Sequence, residues 1–187
     1  MVDDDALAEA RTTERWMVMT DVDLRSAADI LDEVPPLPDT LGELLEVALK
    51  EARAVEQSEK YVLDMGSWHG QAIDDDAGRC HVCLAGSVIR NHVPIDMAIY
   101  EDHMPADLRK RMLALDFLQM GNLSEAWYAL GGDPGHTPEF DDLIEDAEER
   151  FDALARHRRT AGLTPALMPQ WWTAMSWLKS ALLKGGW

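Results

Sequence analysis

The chain has 187 residues, 47% of them hydrophobic, with 17 Lys and Arg against 35 Asp and Glu and a formal net charge of −18. A chain of this length buries roughly 70% of its unfolded surface in a single core, so neither metal nor disulfide staples are required, and disordered and collagen-like classes are excluded. It has no apolar run of about 18 residues and no basic segment leading into an apolar one, which predicts neither a spanning helix nor a secretory signal and makes the cytoplasm the expected compartment.

Helical periodicity dominates the elements in chain order. Leu24, Ala27, Ala28 and Leu31 predict a short helix stopped by Pro35 and Pro36. Thr40 precedes a second, in which Leu41, Leu44, Leu45, Ala48, Leu49, Ala52 and Val55 recur at amphipathic spacing as far as Ser58. Tyr61–Leu63 and Cys80–Cys83 flank a turn-rich stretch that reads either as a small β-hairpin within 61–83 or as an irregular loop. The small apolar residues from Leu84 to Ile89 suit a buried helix ending before Pro94.

Further on, Leu108, Met112, Leu115 and Leu118 mark a helix between Pro105 and Gly121. A shorter helix spans Ser124 to Leu130 and ends at the Gly131-Gly132 turn. Thr137-Pro138 opens the next, with Phe140, Leu143, Ile144, Ala147, Phe151 and Leu154 on one face as far as about Arg159. A last helix carries Trp171, Trp172, Met175, Leu178 and Leu182. We find no internal repeat, so the expected architecture is one mainly α domain over 1–187, a compact helical bundle.

Charge divides this domain into an acidic body and a basic, Trp-rich C-terminal segment. Residues 1–152 hold all 35 acids with 12 Lys and Arg, whereas 153–187 hold Arg156, Arg158, Arg159, Lys179 and Lys184 and no acid. The body repels phosphate backbones, which argues against direct binding to nucleic acid, and opposes anionic membranes. It attracts basic surfaces instead. The densest acid run, Glu139, Asp141, Asp142, Glu145, Asp146, Glu148, Glu149 and Asp152, lies on the Pro138 helix. Its ordinary reading is a solvated face. Its functional reading is a partner-binding surface for Asp141, Asp142, Glu145, Asp146, Glu148, Glu149 and Asp152, because successive carboxylates can match a groove built for phosphates.

The tryptophans suit core packing, a partner contact or a homodimer contact. Mixed use is expected, with the helix integral to the fold and the tip at Trp187 free.

Catalytic signatures are missing. His69-Gly70-Gln71 and Arg79-Cys80 lack the Glu and the Pro of the zinc-deaminase pattern, and the Gly131–Gly135 stretch has no phosphate-loop Lys. Asp74, Asp75 and Asp76 lack EF-hand spacing and read as a solvated turn. Cys80 and Cys83 are spaced to chelate zinc, which His69, His92 or His103 could complete, so a small zinc-binding module or metalloenzyme is the alternative to a non-enzymatic binder without cofactor. A single paired half-site followed by an apolar run is more often core.

Met65-Gly66-Ser67-Trp68-His69 and Cys80-His81-Val82-Cys83-Leu84-Ala85-Gly86, followed by Leu113–Leu118 and Gly121, resemble an uncharacterised family of small proteins carried by bacteriophages and prophages. The likeness spans about a third of the chain. It implies a viral accessory protein acting in the bacterial cytoplasm, similar in class to anti-CRISPR and DNA-mimic inhibitors. The partner so implied is a positively charged host protein such as a CRISPR effector or a restriction enzyme, and no site residue is carried over from the likeness.

Overall fold

In the computed structural model, helix α1 spans Leu41–Glu56 and opens on the Thr40 hydroxyl, which accepts a hydrogen bond from the Glu43 N–H at 3.3 Å and so satisfies a first-turn donor. Its buried side is the face expected from the spacing, Leu41, Leu44, Leu45, Ala48, Leu49, Ala52 and Val55. The structure describes residues 36–65, 69–71, 79–92, 104–133, 135–161 and 167–187, with the backbone alone at 69–71, 91–92, 153 and 155–161. The expected helix at Leu24–Leu31 and the turn at Asp74–Asp76 lie outside them.

Three short strands follow, β1 (Tyr61–Leu63), β2 (His69–Gln71) and β3 (Cys80–Val82), in the order β1-β3-β2. The hairpin expected within 61–83 is the antiparallel pair β2–β3, with His69 opposite Val82 and Gln71 opposite Cys80. β1 joins the other edge of β3 in parallel, Tyr61 beside Cys80 and Leu63 beside Val82. A parallel pair needs a crossover rather than a tight turn, so no local spacing announces it.

Helix α2 (Leu84–His92) is buried from Leu84 through Ile89, as its small residues suggest. Its first N–H is satisfied from a distance. The Gln119 side chain, 3% exposed, accepts from the Leu84 N–H at 3.2 Å and donates to the Met65 carbonyl at 3.4 Å. A buried glutamine thereby joins the sheet exit, the start of α2 and the end of α3 (Ala106–Leu118).

The turn from α3 into α4 (Leu123–Ala129) depends on Gly121, whose φ is +77°. A Cβ at Gly121 would lie 2.3 Å from Phe151 Cγ. Gly121 therefore answers two demands, left-handed backbone and close approach of the turn to the long helix α5 (Pro138–Ala161). Gly121→Ala is expected to cost about 3 kcal/mol, combining backbone strain with displacement of Phe151, and to lower the Tm by roughly 6–12 °C in a calorimetric scan.

Helix α5 buries Phe140, Leu143, Ala147, Phe151 and Leu154, with Ile144 half-buried, and packs on α4 and α6 (Met168–Gly185). α6 contributes Trp171, Trp172, Ala174, Met175, Leu178 and Leu182 to a core shared with α1, α2 and α3. Trp171 is 1% exposed, and its indole N–H donates to the Gln119 carbonyl at 3.0 Å. Trp172 lies under the Arg53 guanidinium, 3.5 Å from the ring centroid, and donates to a Glu56 carboxylate oxygen at 2.7 Å.

The tip of the chain departs from expectation. Trp187 packs edge-on against Phe140 with ring centroids 5.0 Å apart, and its carbonyl oxygen accepts from the Gly42 N–H at 2.8 Å. Gly42 lies in the first turn of α1, where an N–H has no partner within the helix, so the end of the chain caps the start of α1. Pro36 excepted, the described residues belong to one compact unit, Leu37–Trp187.

Candidate functional site

Helix α5 carries the seven residues singled out as partner-binding, and all of them are exposed: Asp141, Asp142, Glu145, Asp146, Glu148, Glu149 and Asp152. With 100° between successive residues, burial of Phe140, Leu143, Ala147 and Phe151 leaves the acids, Glu139 included, on the half of the helix facing away from the core. From Glu139 to Asp152 the helix rises about 20 Å, so eight carboxylates stand on average about 2.8 Å apart in axial projection. Duplex DNA carries a charge per about 1.7 Å and a single strand one per about 3.4 Å. The helix falls between the two.

Arg150 is turned toward α6, with its guanidinium 4.2 Å from the Trp177 ring centroid. The Asp141 carboxylate accepts a hydrogen bond from His136 Nδ1 across 3.1 Å, and His136 is wedged against Tyr128 and Phe140. Pairing to His136 makes Asp141 part of the start of α5 as well as part of the acidic face.

Beside the lower half of the face runs a groove of about 540 Å³, lined by Met120, Gly121, Asn122, Glu145, Glu148, Glu149, Phe151 and Asp152. Met120 and Asn122 were not among the residues the sequence reading selected. Met120 falls in the turn after α3, off the Leu108–Leu118 apolar face, and this break in the pattern was the only local signal.

The zinc candidates are placed less coherently. Cys80 is half-buried on β3, whereas Cys83 is buried at the entrance to α2, where its sulfur accepts from the Gly86 N–H at 3.4 Å. His103 and the side chains of His69 and His92 lie outside the described residues. Among the described residues, no three His, Cys, Asp or Glu side chains converge as a metal-ligand set. Burial pushes the Cys83 thiol from an ordinary 9.0 up to about 11, so it is a neutral core group at physiological pH.

Because the folded-state value is raised, the thiol's contribution to stability is complete below pH 9 and is lost as the pH rises from about 9 through 11. Alkaline unfolding monitored by tryptophan fluorescence is expected to lose about 2–3 kcal/mol over that window through this residue. Cys83→Ala is expected to remove this step.

No protein-family model matches the chain, and comparison with curated proteins and with solved structures finds no match. Among the described residues, no helix is long and apolar enough to cross a membrane.

Proposed function

We propose that the protein is a non-enzymatic acidic binder whose α5 face occupies the positively charged groove of a nucleic-acid-binding protein in place of a phosphate backbone. The observation that carries this reading is the exposed half of α5, with eight carboxylates along about 20 Å and Arg150 drawn aside onto Trp177. Helix energetics support it. Glu139 to Asp152 contain nine acid pairs at i,i+3 or i,i+4, each destabilising an isolated helix by about 0.2–0.5 kcal/mol. A face needed only for solvation gains nothing from such crowding, whereas a phosphate mimic requires it.

The partner class we infer is a bacterial defence protein with a DNA- or RNA-binding groove, a CRISPR effector or a restriction enzyme, met in the cytoplasm of a phage-infected cell. Such binding is electrostatically driven. Immobilised protein incubated with bacterial lysate at low salt is expected to retain proteins of this class, identified by mass spectrometry. The affinity of a retained partner should fall by roughly 100-fold or more between 50 and 200 mM salt. Competing duplex DNA should release the partner. Salt-insensitive retention, or retention unaffected by DNA, would count against mimicry.

A further inference from the structure

The groove beside α5 differs from the rest of the acidic face in having an apolar floor. Met120 is 38% exposed, one of three large hydrophobic side chains in the described residues that reach this level of exposure, with Tyr128 and Leu183. It lies at the groove with Phe151, whose ring underlies Gly121, while Glu145, Glu148 and Glu149 supply carboxylates and, among the described residues, no cation lines the space.

A bare cation would make no use of Met120 and Phe151, and an apolar ligand would leave the carboxylates without a counter-charge. Both features are used by a side chain with an aliphatic stem and a cationic head. At about 540 Å³ the space is within the range of ligand-sized clefts.

We propose that this groove receives an arginine or lysine side chain of the partner, its stem lying on Met120 and Phe151 and its charge among Glu145, Glu148 and Glu149. The inference rests on the acidic-face reading and narrows it. Binding is concentrated at one anchoring side chain of a basic protein rather than spread evenly along α5. Methionine suits the role because its flexible, polarisable side chain adapts to an inserted stem, and basic grooves that hold nucleic acid present such arginines and lysines.

The test uses the full chain and fluorescently labelled nona-arginine peptide, with affinity read by anisotropy at low salt and folding checked by circular dichroism. Replacing Glu145, Glu148 and Glu149 together by Gln is expected to weaken binding about tenfold or more. The variant Glu139→Gln, Asp142→Asn, Asp146→Asn removes the same charge outside the groove and should weaken it by about threefold at most. Met120→Ala, which changes no charge, should weaken it about threefold, and Met120→Lys should do so more strongly. Equal losses from the two charge-neutralised variants, or unchanged binding in Met120→Ala, would overturn the groove while leaving the acidic face as the binding surface. Unchanged binding in both charge-neutralised variants would overturn both readings.

Discussion

A chain truncated after Gly162 will lose its cooperative thermal transition and expose its core to hydrophobic dyes. Removing α6 takes away five large buried side chains, Trp171, Trp172, Met175, Leu178 and Leu182. At about 1.5–3 kcal/mol each, their burial is worth about 8–15 kcal/mol, as much as the whole stability margin of an ordinary domain, about 5–15 kcal/mol. The cut also orphans the Gln119 carbonyl, which accepts from Trp171, and uncovers the buried face of α1.

Deleting only Gly185, Gly186 and Trp187 is expected to have a smaller but measurable effect, about 2–4 kcal/mol. The deletion leaves the buried Gly42 N–H without its acceptor and removes the indole from Phe140. A stable, monodisperse 1–162 fragment in calorimetry and gel filtration would show that α6 is dispensable to the core. It would also move its tryptophans to an interaction surface.

Reversing Asp142, Glu145 and Glu149 to Lys is expected to abolish binding to a basic partner, by roughly 100-fold or more, while raising rather than lowering the Tm. The three side chains are exposed and outside the Phe140, Leu143, Ala147 and Phe151 face, so the core is untouched. Of the nine acid pairs between Glu139 and Asp152, six become opposite-charge pairs, and the net charge moves from −18 to −12. A gain of about 1 kcal/mol at low salt, or about 2–4 °C, follows. Asp141 is left in place because of its contact with His136. Binding titrations together with thermal scans separate the two readings of the face. Loss of binding with a higher Tm is the signature of carboxylates retained for a partner at the expense of the helix. A higher Tm with undiminished binding would make the run a solvated face and nothing more.

The buried faces of α1, α5 and α6 were legible in the sequence, with Ile144 only half-buried and Ala174 buried in addition, as were the Thr40 and Thr137 starts and the break at Gly121. Each of these depends on interactions within one or two turns, and a helix writes its buried side into the chain at a period of 3.6 residues. The seven candidate carboxylates were legible for the same reason, since the acids alternate with that apolar face.

Tertiary structure alone decided the rest. The parallel pairing of β1 with β3 joins segments with no shared turn. Leu84 finds its acceptor on Gln119, 35 residues away, and Trp187 reaches back to Gly42 instead of standing free. Met120 enters a groove only because Gly121 lets the turn close on Phe151. The chain by itself determined which residues are apolar, helical and charged. Which buried polar groups meet, and which acids line a concavity, depends on how distant helices pack, and periodicity carries no information about packing between elements.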